Sequence, residues 1–555
     1  MLFNSYQFAA FFAVVFALHW TLRGRARLWM LLAASYLFYG AFDWRFLGLL
    51  VVSTATDYVA GRYIALSATQ SQKRVLLWTA VVINLAILGT FKYFDFFYDS
   101  AAALLEALGL GVPELSLRVV LPVGISFYTF QSMSYTIDVY RQKVDAEPDP
   151  LVFACYVAFF PQLAAGPIER ASKLIPQLRN LPARPDPKDL WLGVDLVLLG
   201  LFRKVAIADV MIPVVFEAFV ERREFFGQTI DVQNGWVTLL CGAIAFGVQV
   251  YADFAGYSTI ARGLGKMLGV DLSINFLRPA RARSQAEFWQ RWHVTLMNWF
   301  RDYVYYPLWR RRWRRLPLRR KSRLAFALLV TFTLSGLWHG ANWTFVLWGF
   351  LLGLMLLVDW SIRDWWRRSV VRTRQPAAEA IRFGTADETA FEASAEPSAK
   401  PPTHDPLASG SDHSDSSGHH SSHERGSAVF PSKLIGAVQL VVTVGSLILV
   451  SVLEAVPTVG DAVHIWTGIF GAREGPIHFH LVAAVFYAVV ALYLSDQHEI
   501  HLEQVERAQR SSQEPWAARE RVIPWWSWGV RTAILVAGIV VFAPNEGQPF
   551  YYFQF

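Results

Sequence analysis

Apolar residues in this chain come in long runs, with polar residues punctuating them. Runs of about 17 to 25 residues, enough to cross a bilayer as a helix, recur throughout. They fall at 5–22, 28–42, 45–65, 75–97, 119–138, 151–168, 190–216, 236–256, 324–340, 343–361, 433–456, 479–496 and 525–543. The pattern predicts an all-α polytopic membrane protein. Several runs are short, polar or broken by proline, so about 10 to 12 true crossings are expected, with the rest re-entrant, interfacial or tilted.

Three stretches depart from a plain lipid-facing pattern. VVLPVGISFYTFQSMSYTID (119–138) is rich in Ser, Thr and Tyr, and polar groups at membrane depth must be buried in protein or line a cavity. Prolines interrupt 156–178 repeatedly. In QAEFWQRWHVTLMNWFRDYVYYPL (285–308), Trp289, Trp292, Leu296, Trp299 and Tyr303 recur at steps of three and four, an apolar helical stripe. Arg291, Asn298 and Asp302 share a second, polar face. One amphipathic helix is expected there, lying at the interface or beside a polar cavity.

Composition agrees with membrane residence. Only 17% of the 555 residues are charged, against about 25% in soluble proteins. Basic segments then orient the chain, because Lys and Arg collect on the cytoplasmic side. RGRAR (23–27) follows the first run, while WRRRWRRLPLRRK (309–321) and WWRRSVVRTR (365–374) flank the 324–361 hairpin. Both chain ends are therefore expected outside. The first run, with no positive charge before it, is expected to stay as a helix and not be cleaved as a signal peptide.

Residues 371–432, rich in Pro, Ser and His, lack the apolar content for a core and are expected to form a disordered cytoplasmic linker. It would divide an N-terminal body, 1–370, from C-terminal transmembrane helices, 433–555. Five of the thirteen histidines lie in it, at 404, 413, 419, 420 and 423. Cys155 and Cys241 have no metal-ligand spacing, and no metal site is expected. The net charge of +7 reads as membrane anchoring, with no nucleic acid partner, since no basic soluble domain exists to hold a duplex.

Candidate chemistry lies inside the membrane. His339 stands in SGLWHGANWTF between Gly336 and Gly340, with Trp338 before it and Asn342 three residues on. An ionisable residue within a span is a functional hypothesis by default; the plain alternative is one structural hydrogen bond across helices. The glycines permit close approach of a helix or a ligand. His293, in FWQRWHVTLMNWFRDY, is the second candidate, with a headgroup contact as its alternative.

A neutral imidazole takes a proton from a hydroxyl or thiol near neutral pH, which is acyl-transfer chemistry without a metal. Asp253, beside Tyr257 and Ser258, is placed to orient one histidine or to pair with Arg262 or Arg301. With Tyr257, Trp292, Asn298, Arg301, Asp302, Trp338 and Asn342 it is expected to shape a polar passage, Asn342 falling on roughly the face of His339. Arg310, Arg311 and Arg312 open a basic run that serves either as an anchor or as a docking surface for an anionic donor such as coenzyme A.

At these residues the chain resembles the membrane-bound O-acyltransferases, especially the bacterial branch of the alginate O-acetylation membrane subunit. MLFNSYQF, LPVGISFYTFQSMSYTIDVYR, FFPQLAAGPIERASKLIPQL, DFAGYSTIARGLGKMLG, NFLRPARARSQAEFWQRWHVTLMNWFRDYVYYPL, SGLWHGANWTFVLWG and PFYYFQF follow in family order. The resemblance implies a ring of tilted helices around a thinned centre with a tunnel. His339 would be the catalytic histidine and His293 the second signature histidine. The donor would be acetyl-CoA, with no permanently bound cofactor, and the acetyl group would pass across a bacterial inner membrane to an alginate- or cellulose-like exopolysaccharide. Because the outward loops are short, a periplasmic acetyl-transfer protein of the SGNH-hydrolase-like type is the implied partner.

The chain departs from the pattern where YYPLWRRRWRR replaces YIPLGGN, at Thr259, where many relatives have Asp, and in the histidine-rich linker. A sister branch that transfers D-alanine from a carrier protein to teichoic acid is the nearest alternative. A non-catalytic lipid or sugar transporter is another, although no inverted repeat accompanies it.

Overall fold

A computed structural model describes residues 1–110, 120–220, 222–225, 228–231, 233–310, 320–374, 432–511 and 525–542. Helices make up most of this, and a short β-hairpin pairs Arg222–Phe225 with Gln228–Asp231. In chain order the helices are α1 (Tyr6–Thr21), α2 (Gly24–Asp43), α3 (Leu47–Leu66), α4 (Gln70–Leu88), α5 (Phe94–Ala107), α6 (Ile125–Tyr140), α7 (Pro150–Ala158), α8 (Phe160–Leu163), α9 (Ala171–Arg179), α10 (Pro187–Phe202), α11 (Asp209–Phe219) and α12 (Trp236–Met267). After them come α13 (Gln285–Arg291), α14 (Val294–Phe300), α15 (Tyr306–Arg310), α16 (Arg320–His339) and α17 (Trp343–Arg374). Four more follow at Ser432–Ala455, Val459–Phe470, Phe479–Ser511 and Trp525–Phe542.

Among the described residues, five helical stretches are long and apolar enough to cross a membrane: Gln70–Ala107, Trp236–Met267, Trp343–Trp366, Leu434–Ala455 and Phe479–Arg507. That is fewer than the ten to twelve crossings expected from hydropathy. Others, such as α2 and α3, reach 20 residues but carry charges, two of which, Arg27 and Asp57, are buried in protein.

The helices sort by what covers them. The apolar window of Gln70–Ala107 is 17% buried inside the protein and that of α12 is 72%. The first keeps Trp78 and Val82 outward, the place for lipid contact. α12 is the central post. It crosses α10 where Gly256 and Gly263 meet Gly200 and Gly193, a close approach that any side chain would block.

Buried ion pairs dock the Phe479–Ser511 helix onto this post and onto the π-helical turn Arg203–Ala208 that follows α10. Arg203, fully buried, pairs with Asp496 at 2.8 Å and Glu499 at 2.9 Å. Lys266 pairs with Glu506 at 2.9 Å. Breaking such a pair leaves an uncompensated buried charge, costing about 3–5 kcal/mol. The body and the helices beyond the linker accordingly form one compact unit, Met1–Leu357 with Gln439–Phe555. A second unit is Val358–Val438; most of the expected linker, 375–431, lies outside the described residues.

One local expectation is corrected. The 285–308 stripe is not one helix. It breaks at His293, whose backbone is left-handed at φ 42°, and resumes as α14, a π-helical turn at Arg301–Tyr305, and α15. Between the runs at 433–456 and 479–496 lies a short helix, Val459–Phe470, opened by a capping box between Thr458 and Asp461.

Candidate active site

His293 owes its position to the break that hydropathy does not reveal. At a left-handed residue the chain turns sharply, and here the turn drives the imidazole into the core, where it is fully buried. Its Nδ1 lies 3.0 Å from Asn275 Oδ1. The same oxygen accepts from the Thr295 backbone N–H at 3.3 Å and from Thr295 Oγ1 at 3.0 Å. A backbone N–H only donates, so the Asn275 atom it meets is the oxygen, and Nδ1 must carry the ring proton. That leaves Nε2 as the basic nitrogen, and it has no hydrogen-bond partner among the described residues.

The network extends outward. Thr295 Oγ1 accepts from Ile168 N at 3.1 Å, and Asn275 Nδ2 donates to Ser258 Oγ at 3.2 Å. Segments far apart in sequence (GPIER, GYS, SINF and RWHVT) thus converge to fix one ring.

His339 is the last residue of α16 and is buried. A π-helical turn at Gly89–Tyr93, between α4 and α5, presents two donors to the exposed carbonyls of that helix end. Lys92 Nζ donates to the carbonyls of Trp338 (2.5 Å) and His339 (3.2 Å), and Tyr93 Oη donates to Leu337 O at 3.0 Å. A cation suits a helix C-terminus, where unsatisfied carbonyls carry partial negative charge. Gly336 lies against Gly349 of α17 and Gly340 against the Phe345 ring, so both glycines serve close packing. The His339 ring packs edge-on to Trp338 and Trp348, at 4.9 and 5.2 Å between centroids.

The two imidazoles meet at Trp338. Its ring lies 6.2 Å from His293 as well as 4.9 Å from His339, with Phe127 of α6 at 5.3 Å completing the wall. Beside them is a cavity of about 20 Å³, lined by Lys92, Ser126, Phe127, Trp338 and His339 and by the Pro122–Ile125 turn. That is room for about one water. Gly124 makes the turn possible: its φ is 74°, and a Cβ there would strike the carbonyl of Leu163. The arrangement brings two imidazoles and a confined space with polar lining together, the ingredients of proton removal from a small nucleophile.

Other expected residues lie apart from this centre. Asp253 salt-bridges Lys204 at 2.8 Å, while Arg262 faces Glu499 and Arg301 faces Asp302. Its neighbour Phe254 is the one against His293, at 4.6 Å, and successive helix residues point about 100° apart. Tyr257 stacks on Phe3 in the core. Asn342 is not on the His339 face, because α16 has ended; it caps α17, accepting from Thr344 N at 3.1 Å and donating to Pro457 O at 3.0 Å.

Arg301 and Asp302 belong to a separate cluster in which Arg170 bridges to Asp302 at 3.0 Å and covers the Tyr303 ring. The Trp292 ring packs on Phe276, which in turn lies against the His293 ring, and Asn298 is half-buried on α14. Arg310 is exposed, stacked over Tyr306; Arg311 and Arg312 lie outside the described residues. Thr259, the departure from the family pattern, accepts from Arg203 at 3.2 Å.

Sequence reasoning missed Lys92 and Asn275. Lys92 left a signal, a lone lysine inside an apolar run. Asn275 left none, because an asparagine in a loop is ordinary.

The family model described as MBOAT, membrane-bound O-acyltransferase family, matches residues 31–383. The chain is similar to a probable alginate O-acetylase AlgI of Azotobacter vinelandii, 38% identical over 65% of this chain and 69% of that protein. It is also similar to a peptidoglycan O-acetyltransferase of Helicobacter pylori, 31% identical over 64% of this chain and 70% of that protein. A teichoic acid D-alanyltransferase of Streptococcus thermophilus is more distant, 27% identical over 44% and 57%. The matched residues contain His293, His339 and the blocks that hold them, and the chain belongs to the membrane-bound O-acyltransferase family, as a multi-pass membrane O-acyltransferase.

Proposed function

We propose that this protein takes an acetyl group from acetyl-CoA on the cytoplasmic side and passes it across the inner membrane for O-acetylation of an exopolysaccharide, alginate- or cellulose-like. The observation that carries the reading is the convergence of His293 and His339 on Trp338 beside one small polar cavity. His339, which lines the cavity, is the general base or first acceptor. As base it takes the proton of an acceptor hydroxyl while that oxygen attacks the thioester carbonyl; the C–S bond breaks and the thiolate leaves with a proton as coenzyme A. As first acceptor its ring nitrogen makes that attack, and the acyl-histidine passes the group on. His293, its Nδ1 tied to Asn275, positions or polarises.

Acetyl is preferred over D-alanyl because the relatives named for alginate O-acetylation match at 38% over 65% of the chain, against 27% over 44% for the one named for D-alanyl transfer. In this reading both termini face the periplasm, the linker is cytoplasmic, and an SGNH-hydrolase-like periplasmic protein delivers the group to the polysaccharide. No described segment on the outward side exceeds a short helix such as Val459–Phe470.

The test is to incubate membranes with radiolabelled acetyl-CoA and compare wild type with His339→Ala. Label is expected in polysaccharide with wild type alone, and label retained on the protein identifies an acyl-histidine. A normally folded His339→Ala protein of full activity removes the mechanism. Wild type that is inert to acetyl-CoA yet active with a D-alanyl carrier protein replaces the donor.

A further inference from the structure

Away from the acyl-transfer centre, three metal-ligating side chains meet where α11 ends and the Phe479–Ser511 helix begins. Glu217 Oε2 lies 3.1 Å from His480 Nε2, and Glu217 Oε1 lies 3.8 Å from His478 Nδ1. One ligand atom from each residue falls within 4.8 Å of the others. We propose that Glu217, His478 and His480 bind a divalent transition ion of the zinc class, which clamps the C-terminal helices to the body.

Donor chemistry supports this. Two imidazoles and one carboxylate form a set that zinc accepts, with bonds of about 2.0–2.2 Å and ligand atoms therefore about 3.3–3.6 Å apart. Small side-chain rotations bring the present distances to that range. The other nitrogen of His478, Nε2, is buried with no hydrogen-bond partner among the described residues. His480 is 64% exposed, leaving an entry path and room for a water as fourth ligand.

The backbone around the trio is fixed. Asn234 Nδ2 donates to the Glu217 carbonyl at 3.1 Å, Trp236 N to Arg473 O at 2.9 Å, and Thr238 Oγ1 to Pro476 O at 3.0 Å. A site built on anchored segments loses little entropy when the ion enters. Glu217 and His480 stand 263 residues apart, so no sequence motif announces them.

The experiment uses full-length protein purified through a tag without histidine, first with its own linker and then with His404, His413, His419, His420 and His423 changed to Ser. Elemental analysis is expected to find one zinc per chain in both. Removing it with EDTA should lower Tm, and zinc alone should restore it, as for any ligand that binds only the folded state. His480→Ala and Glu217→Gln should each weaken zinc binding by at least about 100-fold, since even outer-shell changes cost 10–100-fold, and abolish the zinc-dependent rise in Tm. Three results overturn the proposal: no zinc bound by wild type at micromolar concentration, zinc lost with the linker histidines, or affinity unchanged in both site variants.

Discussion

His293 is held through its side chain, by a hydrogen bond to Asn275, whereas His339 is held through its backbone, whose carbonyl accepts from Lys92. The difference divides the labour. A ring hydrogen-bonded at Nδ1 has its tautomer and orientation set, which suits a group that must present one nitrogen unchanged through a reaction. The His339 ring sits at a helix end, flanked by Trp338 and Trp348, beside the cavity. His339 lines the cavity, and His293 stands behind Trp338. In the proposed mechanism His339 is accordingly the group that meets substrate and His293 the group that sets its surroundings.

Four substitutions sharpen or break that division. The largest effect belongs to His339→Ala, expected to lower kcat by about 10²–10⁴-fold, the range for a general base, with Tm little changed; an equal loss of stability would mean a packing role. Next, Asn275→Ala frees the His293 ring and strands the Thr295 donor. It should cost about 1–3 kcal/mol of stability and lower kcat about tenfold or more with KM nearly constant. A rise in KM alone would place Asn275 in binding and not in tautomer control.

Lys92→Met keeps most of the volume but removes the cation from the carbonyls of Trp338 and His339. A fall of about 2 kcal/mol in stability is expected, the upper range for a partly buried charge at a helix terminus, along with weaker transfer. Wild-type activity in this variant would show that α16 keeps its end without help. Asn342→Ala should be the mildest, losing about 1 kcal/mol as a helix cap and leaving kcat untouched. A catalytic defect there would return Asn342 to the passage from which its place as a cap removes it.

The reading from sequence succeeded where one segment suffices and failed where two must meet. The runs at 5–22, 236–256 and 479–496 became helices starting within a residue of the expected positions, at Tyr6, Trp236 and Phe479. The stripe at 285–308 misled because a helical period continues on both sides of a single left-handed residue. Asp253 is expected from sequence to orient a histidine or to pair with Arg262 or Arg301, and the fold pairs it with Lys204, on the turn that follows α10. Asn342 was placed by helical spacing from His339, across a helix end that spacing does not mark.

What the sequence determined by itself is the membrane character of the chain and which residues are too costly to place at that depth without purpose. Hydrophobic runs and buried ionisable groups have energies that depend mainly on the solvent they leave. What only the tertiary structure decided is which of those residues share a site. His293 and His339 meet at one indole because a left-handed turn, a π-helical turn bearing Lys92 and a glycine-mediated helix contact bring three distant segments together. Each of these is a short-range geometric event, fixed by hydrogen bonds and packing between segments that no periodicity connects.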